Sequence, residues 1–233
     1  MTFVTESARS LKREKLPTAS GILIVTRAGD LRLQIMAPVI KTTVADIVSR
    51  GGRFEVWYPH KKTVYRGSMD DDLGSVSLAA GEDEKAPRYN LAKLRPWHIT
   101  QTFFHAPLAA GSSLLVIEED TPAERYYVLH EVAPGPGGEP QILQKIWLER
   151  STLAIGRKVL YDPAGAPVCD VSYRGYTAGG DRSYPAEITL RRPQEGYQVE
   201  FLIKRAEPDA PVNDGMFQLT LPEGVTVEDI QAE

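Results

Sequence analysis

The chain has 233 residues, of which 42% are hydrophobic and 25% charged, and its formal net charge is −4. This length and composition allow a sizeable core, and the acidic balance argues against nucleic acid as a main partner, because phosphate binding needs a basic surface. The single cysteine, Cys169, excludes an intrachain disulfide. No apolar run approaches the roughly 18 to 20 residues that span a bilayer, and the opening residues MTFVTESARSLKREK lack the apolar core of a signal peptide.

Alternation of apolar and polar residues with a period of two dominates the chain and predicts β-strands. The first strand is expected almost at once, over Thr2–Ala8, and two more lie in GILIVTRAGDLRLQIMAP, joined by a turn at Ala28-Gly29-Asp30. Further strands are predicted at 42–49, 53–58, 63–67, 113–119, 125–131, 142–149, 155–161, 168–176, 186–191 and 197–204. After the first strand, about eleven or twelve strands at hairpin spacing indicate an antiparallel meander.

The segment from Ser68 to Ala110 departs from this pattern. It contains NLAKLRPWHITQTFFHAP, in which Pro96 suits the first turn of a short helix. Leu94, Trp97 and Phe104 recur near helical spacing. The segment therefore predicts one short amphipathic helix with an aromatic-rich face, inserted between strands.

Arg27 is unusual among the strand residues. It shares its alternation parity with Leu23 and Val25, so the pattern predicts that it points the same way as these apolar side chains. Two interpretations stay open. Either the arginine reaches water past the turn, or it is a polar group set at the rim of an apolar surface.

Metal and cofactor chemistry has no sequence signature here. None of the histidines forms a zinc motif, and the pair in the predicted helix is seven residues apart rather than four; the histidines are His60, His98, His105 and His130. The acidic run Asp70–Asp72 lacks the spacing of a calcium loop. We therefore predict no metal site.

Catalytic motifs are also missing from the sequence. There is no Walker loop, no GxGxxG and no GxSxG. Cys169 shares its parity with Val171 and Tyr173, which predicts a small buried hydrophobe rather than a nucleophile. We predict no cofactor and no catalytic residue, so that the protein is not an enzyme.

A long antiparallel sheet with one apolar face must cover that face. With a single helix available, the sheet either closes on itself or curls and leaves an apolar cavity, for which the 68–110 insertion is the obvious lid. An apolar concavity in a soluble protein suggests ligand binding.

Four segments resemble the LolA/LolB-like lipoprotein carriers of Gram-negative bacteria, and they occur along this chain in the same order as in the carriers. GILIVTRAGDLRLQI resembles the strand, arginine, turn and strand that open the sheet of these carriers, and FEVWYPHKKTVYRG resembles their aromatic strand and the strand after it. QKIWLERSTLAIGRKVLYDPAGAPV resembles their late hairpin, and FQLTLPEGVTVEDIQ resembles their C-terminal signature. The resemblance covers most of Ala19–Gln231.

The resemblance implies a mainly β fold, in which a single curled antiparallel sheet of about eleven strands forms an unclosed half-barrel with a short helical lid. It implies one LolA-like domain over residues 1–233, with the loop and helix insertion at about 68–110. It also implies export, so that the protein is periplasmic or is held to a bacterial membrane by a lipid anchor that is absent from this chain.

In these carriers the arginine before the first hairpin turn points into the cavity and hydrogen-bonds the lid. Arg27 occupies the matching position, so the resemblance makes it a lid latch whose partner is a carbonyl of the 68–110 insertion. The family usually continues with proline, whereas this chain has Ala28.

The resulting functional prediction is non-catalytic binding or transport of lipid or lipoprotein acyl chains in the cell envelope. The partner would be a lipid or an acylated lipoprotein, with an envelope protein as a further expected partner, and affinity would come from burying CH₂ groups at about 0.8 kcal/mol each. The predicted cavity lining is Leu23, Val25, Leu33, Ile35, Phe54, Val56, Trp97 and Phe104. Two alternatives stay open: an envelope-assembly protein whose aromatics fill the concavity, and a small-molecule enzyme on the same scaffold.

Overall fold

The computed structural model describes residues 2–6, 13–15, 18–37, 39–68, 95–105, 107–121, 124–179 and 182–230. Within them the chain is mainly β, as predicted. In chain order the strands are β1 (Thr2–Glu6), β2 (Arg13–Lys15), β3 (Ser20–Val25), β4 (Leu31–Met36), β5 (Thr43–Arg50), β6 (Arg53–Tyr58), β7 (Thr63–Ser68), β8 (Ser113–Asp120), β9 (Arg125–Pro134), β10 (Pro140–Glu149), β11 (Ile155–Tyr161), β12 (Pro167–Gly179), β13 (Arg182–Arg192), β14 (Tyr197–Leu202) and β15 (Thr226–Asp229). They form two compact units.

The first unit contains a six-stranded sheet in the order β15-β7-β6-β5-β4-β3. Strands β3 to β7 follow one another as an antiparallel meander, and β15 joins β7 in parallel. The helix α1 (Pro96–Phe103) packs against β5. Two short 3-10 helices, Pro59–Lys61 and Asp214–Phe217, complete this unit.

The core of the first unit follows from the alternation of β4. Leu31, Leu33 and Ile35 are buried on one face of the sheet, whereas Arg32 and Gln34 lie on the other face. The central strand β5 is buried on both faces over residues 45–49. Alternation in the sequence therefore identified the core-facing side of this sheet correctly.

The helix α1 begins where the sequence predicted it. Pro96 occupies its first turn, where a missing N–H costs nothing. The helix ends as the N–H of Phe104 bonds the carbonyl oxygen of Thr100 at 2.9 Å. Its buried side includes His98 and Ile99. Within the described residues, no helix is long and apolar enough to cross a membrane.

The second unit is a nine-stranded sheet in the order β2-β1-β14-β13-β12-β11-β10-β9-β8. Strands β8 to β14 form a second antiparallel meander. One face of the sheet carries its core, since Val171, Leu190 and Val199 lie in one cross-strand row and are fully buried.

The prediction of a single sheet of about eleven strands is wrong, whereas the prediction that the strands do not close into a barrel is confirmed for the described residues. The strands are divided between two sheets: β3 to β7 and β15 form one, and β1, β2 and β8 to β14 form the other. The reason is the C-terminal segment, which supplies β15 and pairs it in parallel with β7, so that the edge of β7 is already filled. Alternation shows which side of a strand is apolar, but not which strands are neighbours. That the whole of 1–233 forms one domain stays a prediction.

Candidate functional site

The predicted cavity face lies on the first sheet. The strand register places six of the eight predicted lining residues on one side of that sheet: Leu23, Val25, Leu33, Ile35, Phe54 and Val56. The other two, Trp97 and Phe104, lie in α1 and directly after it. The register therefore brings these six strand residues together on one face, and their role as the lining of a ligand site stays a prediction.

Most of this face is closed in the structure. Leu33, Ile35, Phe54 and Val56 are all buried, and only Leu23 and Val25, on the edge strand β3, are half-buried. Trp97 and Phe104 are also half-buried. An acyl chain would therefore have to displace packed side chains to reach the centre of this face.

Arg27 lies in a turn rather than in a strand. Strand β3 ends at Val25, and the Thr26 N–H donates to the Asp30 carbonyl oxygen at 2.9 Å, while the Asp30 N–H donates to Thr26 Oγ1 at 3.1 Å. Gly29 provides the positive φ of 94° that this turn needs. Arg27 itself is exposed, so strand alternation gives it no direction. Its latch role stays a prediction, and residues 69–94 of the expected partner segment lie outside the described residues.

The opposite face of the first sheet carries an open groove of about 270 Å³, lined by Ile22, Ile24, Arg32, Gln34 and Met216. The Arg32 guanidinium donates to both carboxylate oxygens of Asp46, at 3.1 and 2.7 Å, and to the carbonyl oxygen of Met216 at 3.2 Å. The Asp46 hydrogen bonds raise the pKa of Arg32. Because Asp46 already neutralises Arg32, this arginine holds the Asp214–Phe217 helix against the sheet rather than attracting an anion.

The second sheet exposes apolar side chains on its core-bearing face. Three adjacent strands, β8, β9 and β10, contribute an open apolar patch that consists of Leu114, Val116, Tyr127, Leu129, Ile146 and Leu148. Leu114 and Val116 are 44% and 58% exposed, and the other four are half-buried. The row of Val116, Leu129 and Ile146 is apolar across all three strands, and polar groups bound it on this face, since Leu114 opposes Glu131 and Tyr127 opposes Glu118. An exposed apolar patch with a polar rim is typical of interaction sites.

Sequence reasoning did not identify this patch. Strand β8 was predicted, but its position at the edge of a sheet was not, because edge and centre strands differ in their neighbours rather than in their alternation. One signal was present: the run Leu114–Ile117 contains four successive apolar residues and breaks the period of two.

A buried carboxylate positions the start of β8. Glu131 accepts hydrogen bonds from the Ala109 N–H at 2.6 Å, from the Ser112 hydroxyl at 2.8 Å and from the Gln144 amide at 2.5 Å. Burial alone would raise the pKa of Glu131, but these three hydrogen bonds outweigh it and the pKa is lowered. The ionised side chain therefore fixes the loop that leads into the patch.

Lys158 lies on the same face as the patch. The register places it in one cross-strand row with Val116, Leu129 and Ile146, and it is only 2% exposed. Burial lowers its pKa to about 8, an effect that the neighbouring Cys169 thiol partly offsets. The closed part of this face thus contains a buried lysine, which sequence alternation did not reveal.

Cys169 is fully buried, as predicted. Burial raises the pKa of its thiol, against the effect of Arg192, which hydrogen-bonds the sulfur. In the part of the chain that the structure describes, no three His, Cys, Asp or Glu side chains come together as a metal site would require.

No protein-family model matches the chain, and no curated protein matches it. A putative outer membrane lipoprotein-sorting protein domain from Vibrio parahaemolyticus is similar in structure, with a TM-score of 0.53 and 12% identity, over 93% of this chain and 86% of that one. A LolA superfamily protein from Nitrosomonas europaea gives a TM-score of 0.50 at 13% identity, over 94% and 87% of the two chains. A DUF1329 family protein from Desulfovibrio piger gives a TM-score of 0.50 at 16% identity, over 93% and 87%. The resemblance that the four sequence segments indicated is therefore confirmed as a likeness of fold: this chain has a LolA-like fold.

Proposed function

We propose that this chain is a non-catalytic carrier that binds acyl chains of lipids or lipoproteins in the bacterial cell envelope, in the periplasm or at a membrane surface. The observation that carries the proposal is the open apolar patch on β8, β9 and β10. The fold supports it, because one of the similar structures is a putative outer membrane lipoprotein-sorting domain.

The patch suits an acyl chain better than a polar ligand. Its six side chains are four Leu or Ile, one Val and one Tyr, and the register brings them together across three adjacent strands. Three neighbouring strands span roughly 10 Å, enough for about eight methylene groups. Burying half of them would contribute about 3 kcal/mol at 0.8 kcal/mol per CH₂, before the cost of ordering the chain.

Two matched double variants of β8 test the proposal. Leu114→Ser with Val116→Ser removes apolar area from the patch. Leu115→Ser with Ile117→Ser makes the same change on the other face of the same strand, at similar exposure. Binding of a fluorescent fatty acid should weaken about tenfold or more in the first variant and by less than about twofold in the second, since each buried side chain contributes about 1 to 2 kcal/mol.

Native mass spectrometry of the purified parent protein complements this titration. We expect co-purified lipid, or lipid that can be loaded in vitro. If no lipid binds, or if the two double variants weaken binding equally, the patch is not an acyl-chain site.

A second candidate function is a structural role in envelope assembly. The observation in its favour is the first sheet, where Leu33, Ile35 and Phe54 are buried as an ordinary core. Under this alternative the protein would bind neither fatty acid nor an apolar dye, whereas the carrier would bind both.

A further inference from the structure

Among the strands that the structure describes, β8 is an open edge of the nine-stranded sheet. It pairs with β9 along its whole length without a register shift, and among the described strands it has no neighbour on its other side. All eight of its residues are exposed. Edge strands in natural proteins usually carry charged side chains, a proline or a bulge that prevents pairing with another chain. In SLLVIEED the charges are confined to the last three residues, and Ser113–Ile117 has none of these features.

The side chains of β8 are apolar on both faces of the strand. Leu114 and Val116 belong to the open apolar patch, and Leu115 and Ile117, which are 54% and 51% exposed, lie on the opposite face. Pairing with another strand would cover apolar area on both faces as well as the free backbone N–H and C=O groups. An edge of this kind fits another extended strand rather than a helix or a small molecule.

The charges of β8 decide in which direction a second copy of this strand would pair with it. The acidic residues are gathered at one end, at Glu118, Glu119 and Asp120. A parallel copy of β8 would place these carboxylates beside one another, which destabilises a sheet. An antiparallel copy places the two acidic ends at opposite ends of the interface.

We infer that a second copy of this chain pairs with the first through antiparallel β8 edges, with the two-fold axis at Leu115. A two-fold axis normal to a sheet keeps each face on its own side, so opposed residues must share a face. With the axis at Leu115, Leu114 opposes Val116 of the second copy, and Ser113 opposes Ile117 of the second copy. An axis at Val116 would instead place Leu114 against Glu118, an apolar residue against a carboxylate.

The acidic ends agree with this register. Glu118 then opposes Ser112 of the second copy, so no two carboxylates face one another. Within one chain, Arg150 lies 3.1 Å from both Glu118 and Asp120, which reduces the cost of bringing two acidic strands together. The paired sheets also join the open apolar patches of the two copies into one surface.

The oligomeric state tests this inference directly. Sedimentation of the parent chain over a wide concentration range should show a monomer–dimer equilibrium. Leu115→Lys should raise the dimer dissociation constant by more than about tenfold, because two ammonium groups meet at the axis. Leu202→Lys is the matched control: it has 59% exposure, lies in β14 inside the same sheet, and should change the constant by less than about twofold.

Disulfide trapping tests the register independently of any loss of stability. Directly opposed residues in antiparallel strands have Cα atoms about 4.5 to 5.5 Å apart, within the range of a disulfide. Leu115→Cys should therefore give a covalent dimer on mild oxidation. Ile117→Cys should not, because the two copies of this residue would be four positions apart along the strand, about 13 Å. The native Cys169 is buried and does not compete.

A parent chain that stays monomeric at every concentration would overturn the inference. So would trapping through Ile117→Cys without trapping through Leu115→Cys, since the axis would then lie elsewhere. Fatty-acid binding by a monomeric Leu115→Lys variant would show that the dimer and the proposed acyl site are separate properties.

Discussion

Each of the two sheets has an apolar face, but the two faces differ in how far they are buried. On the first sheet, the face that carries Leu33, Ile35 and Phe54 is buried. On the second, the face is buried at Val171 and Leu190 but becomes progressively open toward β8, where Val116 is 58% exposed. An apolar stripe in a sequence therefore does not by itself mark a binding site, because burial decides whether it is a core or a surface. For this chain the closed stripe is the one that sequence reasoning selected.

The largest expected effect is a difference in stability between a variant in the buried face of the first sheet and a variant in the open patch of the second. Phe54→Ala should lower the free energy of unfolding by about 3 to 5 kcal/mol, because it leaves a cavity in a closed core. Val116→Ala, on the open patch, should change it by less than about 0.5 kcal/mol. Urea unfolding followed by circular dichroism measures both. Equal losses from the two variants would mean that the two faces are not in different states.

A smaller effect is expected where the buried carboxylate fixes the loop before β8. Glu131→Leu leaves the Ala109 N–H and the polar groups of Ser112 and Gln144 without their acceptor, and should cost about 2 to 3 kcal/mol. Glu131→Gln retains one acceptor oxygen, and Gln144 can turn its amide to match it, so that this variant should lose about half as much. Equal losses measured by urea unfolding would show that hydrogen bonding to Glu131 does not fix the loop.

Replacing the buried Lys158 should raise the stability rather than lower it. Lys158→Met should raise the free energy of unfolding at pH 7 by up to about 2 kcal/mol, since burial disfavours the charged form of Lys158. The pKa of Lys158 is lowered to about 8 from 10.5, so the folded parent loses its proton before the unfolded chain does. Parental stability should therefore rise between pH 8 and 10.5, and the gap to Lys158→Met should narrow there. A gap that stays constant with pH would contradict this assignment.

The smallest expected effect is on the stability of the protein at acidic pH. The pKa of Glu131 lies below its ordinary 4.5, so this residue stabilises the fold above that value, and the contribution is lost as pH falls through the lowered pKa. Urea unfolding of the parent and of Glu131→Gln should give curves that differ at pH 7 and converge in acid. Curves that stay parallel over this range would show that Glu131 titrates alike in the folded and unfolded chain.

Much of the local structure could be predicted from the sequence. Alternation located the described strands except β2 and β15, together with the buried side of β4, and Pro96 marked the first turn of α1. The pairing of β15 with β7 could not be predicted, because a four-residue parallel contact between residues more than 150 positions apart has no local signature. That pairing fills the edge of β7 through which the predicted single sheet would have continued to β8.

The candidate site was predicted less well than the fold, for a related reason. The exposure of Leu114–Ile117 and the burial of Lys158 depend on neighbouring strands. Among the described strands β8 has a partner on one side only, whereas Lys158 lies in a cross-strand row of aliphatic side chains. Sequence pattern describes one strand at a time, whereas both of these properties belong to the assembled sheet.

The most direct test of the central claim is photolabelling with a fatty acid that carries a diazirine in its acyl chain, followed by peptide mapping. Labels are expected in β8, β9 and β10, at peptides that contain Val116, Leu129 or Ile146. The Leu114→Ser, Val116→Ser double variant should lose these labels. Labels confined to β4 and β6, around Leu33 and Phe54, would contradict this claim, and would show that the closed face of the first sheet opens to receive the chain.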